Sequence, residues 1–145
     1  MFRVETDRAN RIIYLSMGGV LSIDEAHACA GAKEAAVESL GAPYHHSTLL
    51  DIRDLRLQPQ EVFGIFTHFV ATTKHKSRRI AIVAGDGTAR MQFRRVAERA
   101  PLRNDMRFFT GFKEARAWLV EDARAPDQPP PAGRPQPAAR PTQAR

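Results

Sequence analysis

"RIAIVAGDGTARMQFRR", residues 79–95, joins an apolar run to a helix-like segment through two glycines. Ile80 to Ala84 read as a strand, Gly85 and Gly87 as a tight loop, and the segment from Thr88 as a helix. A dinucleotide site is built this way, because the free N–H groups at a helix N-terminus attract phosphate. So is any ordinary strand-to-helix step of an α/β domain. The residues decide between them. The pattern G-x-G-x-x-G fails at its third glycine, where Arg90 stands. That pattern also belongs after the first strand of its fold, whereas this is the fourth strand of the chain. Asp86 puts a negative charge where a phosphate would sit, and G-x-x-x-x-G-K-[ST] occurs nowhere. The stretch is therefore a strand turning into a helix, with Asp86 or Thr88 as N-cap and a glycine allowing the turn. Arg90 and Arg94 fall four apart on one helix face and form a candidate anion surface.

Working outward, the same step recurs. "FRVET" (2–6) and "RIIYLSM" (11–17) flank the turn "DRAN" and predict an opening hairpin. Its inward set is Phe2, Val4, Ile13, Leu15 and Met17, with Ile12 and Tyr14 leaving the facing ambiguous. Ser22 and Glu25 make a capping box for a helix to about Leu40, stopped by Gly41. Its buried stripe is small: Ala26, Cys29, Ala30, Ala36, Val37 and Leu40. "STLLDI" (47–52) is a buried strand, "RDLRLQ" a loop, and Pro59 suits the first position of a helix over 59–74. Phe63, Phe66 and Phe69 of that helix are a candidate apolar pocket lining, although aromatic residues at helical spacing also serve simply as core. After strand 79–84 and helix 88–100 come a short strand (106–109) and a last helix from Gly111 to about Val120. The order is ββαβαβαβα. It predicts one α/β domain with a mixed, mostly parallel five-stranded sheet and four helices.

The composition changes near Asp122. Residues 122–145 carry seven of the ten prolines and no apolar side chain larger than alanine. Such a segment cannot offset its ordering entropy by burial, so a disordered Pro/Ala/Arg-rich tail is expected after a folded domain of residues 1–121. The net charge of +6 is local: residues 74–107 hold ten Lys/Arg against three acids. A basic region attracts anions, but no aromatic side chains interleave with it for base stacking, which disfavours nucleic acid. Cys29 is the single cysteine, so no intrachain disulfide can form. No signal-peptide pattern stands at the N-terminus, and no apolar run approaches the roughly 20 residues of a membrane span. A cytoplasmic protein is the expectation.

Three phrases in order, "MGGVLSIDEA", "LLDIRDL" and "FFTGFKEARAWL", resemble the SpoIIAA-like group of the STAS/SEC14-like fold over residues 2–120. The resemblance implies a non-enzymatic regulatory domain that binds a partner protein, like the anti-sigma factor antagonists. In that group a serine at the start of the second helix is phosphorylated. Counted from Asp51, its place falls on Pro59 to Val62, and no Ser or Thr stands between Asp51 and Thr67. The phosphorylation switch does not carry over. Glu61 puts a negative charge at that helix start, where it complements the dipole. The implied contact surface is 53–70, with Arg53, Asp54, Gln60 and Glu61 as candidate residues and the basic third helix beside it. The SEC14-like side of the resemblance implies the alternative, a carrier or sensor of a small apolar or anionic ligand.

Asp51, Arg53 and Asp54 cluster at the end of a central strand, where open α/β folds place ligands. No Ser or His near them completes a nucleophile and base. The five histidines and Cys29 lack metal-ligand spacing. No enzyme activity, cofactor or metal is expected. The candidate partners are a protein, including a second copy of the chain, or a small molecule.

Overall fold

The computed structural model describes residues 1–41, 45–85, 87–99 and 105–123. The chain runs β1 (Phe2–Asp7), β2 (Ile12–Gly19), α1 (Ile23–Glu38), β3 (Ser47–Leu55), α2 (Gln60–Thr72), β4 (Arg79–Val83), α3 (Thr88–Arg99), β5 (Asp105–Phe109) and α4 (Phe112–Ala123). The five strands form one mixed sheet in the order β1-β2-β3-β4-β5. β1 is antiparallel to β2, and β2 through β5 are parallel. Fold class and element order are those expected from the sequence. No described helix is long and apolar enough to cross a membrane.

The period-two alternation of the strands sends two sets of side chains to two faces. Leu15, Met17, Leu50, Ile52 and Ile82 point to one face and pack under α1, α2 and α3 with Ala26, Val62, Phe66 and Phe93. Ile12, Leu49, Ala81 and Val83 point to the other, where α4 supplies Ala115, Trp118 and Leu119. The ambiguity at Ile12 is thereby resolved. Phe2 and Val4 pair with Met17 and Leu15 on the three-helix face, while Ile12 is fully buried in the cluster formed with α4.

Several boundaries differ from expectation, each for a local reason. The strand expected at 47–52 continues to Leu55, so residues 53–55 are strand rather than loop. Ser16 pairs with Asp51 and Gly18 with Asp54, so Ile52 and Arg53 together oppose Met17. This bulge resets the alternation and lets both Ile52 and Leu55 enter the three-helix core. Pro59 is the N-cap of α2, with extended ψ of 153°, rather than its first helical residue. α1 ends at Glu38 with Ser39 as C-cap, and Gly41 takes the left-handed conformation at φ 83°. Its start has the full capping box between Ser22 and Glu25. α4 reaches Ala123 and so includes Asp122, which faces Arg78 and Arg79 at 3.4 and 3.8 Å. Asp86 and the segment 124–145 lie outside the described residues.

The turns at the C-terminal edge of the parallel strands are joined by one side chain. Gln58 is buried. Its Oε1 accepts from the Leu21 N–H at 2.9 Å, and its Nε2 donates to the carbonyls of Gly19 at 2.9 Å and Arg56 at 2.7 Å. Gln92 of α3 completes the set. Its Oε1 accepts from the Gln58 N–H at 2.9 Å, and its Nε2 donates to the Gln58 carbonyl at 3.1 Å. Two glutamines thus satisfy backbone groups of the β2–α1 and β3–α2 turns and tie them to α3. Gln58→Ala strips partners from the Leu21 N–H and the Arg56 carbonyl, while the Gly19 carbonyl keeps the Arg56 N–H. Urea unfolding should show a loss of about 2–4 kcal/mol, since each buried group left unsatisfied costs about 1–3 kcal/mol. An unchanged midpoint would mean that the turns hold without it.

Candidate functional site

Two regions stand out: the turn edge held by Gln58, and the space beneath α1, α2 and α3. At the turn edge, Val20, Leu57 and Met91 are 53%, 56% and 57% exposed. Each is a sequence neighbour of the joined residues: Val20 lies between Gly19 and Leu21, Leu57 precedes Gln58, and Met91 precedes Gln92. The two glutamines therefore join three separate segments along one edge, each of which carries an exposed apolar side chain beside the joined residue.

The candidate contact residues flank this edge without forming one cluster. Arg53 is turned back on Asp51. Its backbone N–H and Nε both donate to Asp51 Oδ1, at 3.1 and 3.0 Å, and its Nη2 reaches Oδ2 at 2.7 Å. The guanidinium holds the Asp51 carboxyl below the usual carboxylate range. Asp51 is thus the anchor of the bulge. Asp54 pairs with Gly18 beyond the bulge and is exposed. Gln60 and Glu61 are exposed in the first turn of α2, and Glu61 lines an open groove between α1 and α2 with Ile23, His27, Glu34 and His68. Arg90 and Arg94 come together over the Phe108 ring, 5.2 and 5.3 Å from its centroid. Gly87 has φ 136°, the glycine conformation that the turn into α3 requires.

Beneath the three helices lies a narrow apolar cavity of about 100 Å³. Its walls include Leu15 and Leu50 of the sheet, Cys29 of α1, Phe66 and Phe69 of α2, and Phe93 of α3. Phe66 and Phe69 belong to the expected aromatic lining. Phe63, one turn earlier, is not among the lining residues: the cavity faces the 66–69–70 side of α2.

The cavity has one charged wall, which the sequence reading passed over. Lys33 of α1 is 8% exposed and lines it. Its Nζ stands 5.9 Å from the centroid of the Phe69 ring. Among the described residues no hydrogen bond or ion pair reaches the ammonium. Burial pushes its pKa from 10.5 down to about 8, with the Glu34 charge raising it and the Lys76 charge lowering it. Lys76 itself donates to the Val70 and Thr73 carbonyls at 3.1 and 3.3 Å. The Cys29 thiol is pushed the other way by burial, to about 11. A signal for Lys33 existed. It continues the stripe of Ala26, Cys29 and Ala30 toward Val37, so helical periodicity alone places it inside.

Among the described residues no group of three His, Cys, Asp or Glu could hold a metal ion. His46 is buried with its Nε2 3.0 Å from Ser77 Oγ, which in turn lies 2.7 Å from Thr48 Oγ1. This polar chain brings Thr48, a cavity wall residue, next to the segment before β4.

The Lys33 ammonium costs stability, and the pH dependence has a definite sign. Its folded pKa lies below its unfolded one, so between about pH 8 and 10.5 the unfolded chain holds more proton. Stability from this group therefore rises through that interval. Below it the full penalty, about 3 kcal/mol, is present. Lys33→Met should raise the unfolding free energy at pH 7 by about 2–3 kcal/mol. The gap to the parent should close by about pH 10.5. Cys29 acts oppositely from 9.0 to about 11 and interacts with Lys33, so the comparison at pH 7, below both thiol values, isolates the lysine. Urea titrations at pH 7, 9 and 10 measure it, and equal stability at pH 7 would contradict the assignment.

No protein-family model and no curated protein matches the sequence. Solved structures do. An uncharacterized protein of the DUF3478 family with a SpoIIAA-like fold, from Shewanella loihica PV-4, superimposes with a TM-score of 0.62 at 19% identity. The match covers 82% of this chain and 92% of that one. An anti-sigma factor antagonist from Mycobacterium paratuberculosis aligns with a TM-score of 0.47 at 14% identity, over 82% of this chain and 94% of that one. With the element order and sheet topology above, the chain has the SpoIIAA-like α/β fold.

Proposed function

We propose that this domain is a non-enzymatic, cytoplasmic interaction module that docks a partner protein on the turn edge of its sheet. The observation that carries this reading is the set of Val20, Leu57 and Met91, each more than half exposed and all fixed about the Gln58–Gln92 hydrogen bonds. Apolar side chains held on a rigid frame lose little freedom on binding, which is how a small patch yields a specific contact. The arginines of α3 beside the patch favour a partner with acidic flanks. Asp51 supports the absence of chemistry, because both its oxygens are taken up by Arg53. No serine or threonine stands at the start of α2, so the docking is not governed by phosphorylation there.

A second reading is favoured by the cavity. The three-helix core keeps an apolar space beside Phe66 and Phe69, which a carrier or sensor of a short apolar chain could use.

The docking reading is tested with the immobilised domain as bait. A specific protein should be recovered by the parent, retained by Lys113→Ala on α4, and lost with Leu57→Asp or Met91→Asp. The urea unfolding free energies of the variants should stay within about 0.5 kcal/mol of the parent, as for other surface substitutions. Equal recovery by all variants would remove the turn edge from the interface, and recovery of chaperones alone would remove the reading.

A further inference from the structure

Three features compete for a ligand. The Arg90–Arg94 pair is turned onto Phe108, and the α1–α2 groove is open with mixed charge. The cavity differs, because it combines an almost wholly apolar wall with a buried charge that no described group neutralises.

We infer that the cavity is a binding site for a small apolar monocarboxylate, whose tail fills the space beside Phe66, Phe69 and Phe93 and whose carboxylate pairs with Lys33 Nζ. The inference rests on the carrier reading and names its ligand class. The first ground is charge. A buried ammonium is ordinarily paired with a carboxylate or a set of acceptors. The cavity lining includes no Asp or Glu, and the contact made by Lys33 is the face of the Phe69 ring. The groups whose charge acts on it are Glu34 and the Cys29 thiol on its own helix and Lys76, and Lys76 is engaged with the carbonyls near the end of α2. Two ammonium groups near one apolar space favour an anion there. The second ground is shape. An apolar cavity of about 150 Å³ accepts benzene, so one of about 100 Å³ suits a short alkyl tail of about four to five carbons. The third ground is composition. Apart from Lys33, Thr48 and the Cys29 thiol, every lining side chain is a hydrocarbon or a methionine. The Thr48 hydroxyl is already hydrogen-bonded to Ser77. A ligand with several polar groups would find no partners, whereas a single carboxylate finds one.

The pairing also explains what the lysine does to the free protein. Without a counter-charge its burial lowers its proton affinity, and a carboxylate bound beside it raises that affinity again. Ligand and proton are therefore linked, and binding weakens as pH rises past the Lys33 titration.

Calorimetric titration of the full chain with hexanoate and with hexan-1-ol tests the site. The two share a chain and differ in charge. Hexanoate should bind about tenfold more tightly than hexan-1-ol at pH 7, since a charge-assisted pair outweighs a neutral contact. Lys33→Met should keep the alcohol and lose the preference for the acid. In the parent protein, NMR of the Lys33 side chain should show that saturating hexanoate lets it keep its proton to higher pH, a readout that needs no variant to fold. If hexan-1-ol binds the parent as well as hexanoate does, the carboxylate site is overturned while the carrier reading stands. If hexanoate binds Lys33→Met undiminished, or leaves the lysine titration unmoved, the pairing is likewise overturned. If neither compound binds at all, the carrier reading falls with it.

Discussion

Each of the three strand-to-helix-to-strand crossovers, through α1, α2 and α3, steps one strand further along the sheet in the same direction. Right-handed crossovers that all move the same way must leave their helices on the same face. That constraint accounts for the asymmetry of the core. Three helices crowd one face, and α4, which follows the last strand, covers β3 to β5 on the other. It also removes the crevice that open α/β sheets use for nucleotides. Such a crevice forms where strand order reverses, and the order β1-β2-β3-β4-β5 never reverses. The replacement of a fingerprint glycine by Arg90 and the direction of winding thus reach the same conclusion by unrelated routes.

A sheet wound in one direction gathers its turns along one edge, and those turns carry backbone groups that need partners. Here the two glutamines do that work. Gln58 offers an acceptor and two donors, which match one N–H and two carbonyls from two turns. A fully satisfied polar network of this kind rigidifies what it joins. The segments that carry Val20, Leu57 and Met91 are held in relation to one another by these bonds, and the proposed docking surface is built on those segments.

The three-helix face shows the opposite treatment of polarity at Lys33. Two other cations packed on an aromatic ring have carboxylates within reach. Arg79 and Arg107 lie over Trp118 at 4.6 and 4.8 Å, with Asp122 and Asp105 each 3.8 Å from one of them. Among the described residues Lys33 has the ring of Phe69 without such a carboxylate. A cation over an aromatic face recovers only part of the hydration it loses. Residues that cost stability without repaying it locally are concentrated where function needs them. Its place in the wall of a cavity follows that logic, because the missing counter-charge is what an incoming anion can supply.

What the sequence revealed follows from the range of the forces involved. The five strands, the four helices and the Ser22–Glu25 capping box are written in short-range patterns, and they were legible. The bulge at Ile52 and Arg53 was not. It depends on how β3 meets the Gly18–Gly19 end of β2, and the continuous apolar run of β3 alone predicts a stop at Ile52. The Gln58 network escaped for a similar reason: its partners lie 34 to 39 residues away, apart from Arg56, and glutamine has no motif of its own. Lys33 is the instructive case. The spacing that put Ala26, Cys29 and Val37 on the buried face includes position 33, yet residue type argued against burial. Periodicity was the stronger signal, because a helix face is fixed by geometry for every residue on it. A charged residue that geometry places inside marks where such a core departs from simple packing. In this chain that departure coincides with the cavity.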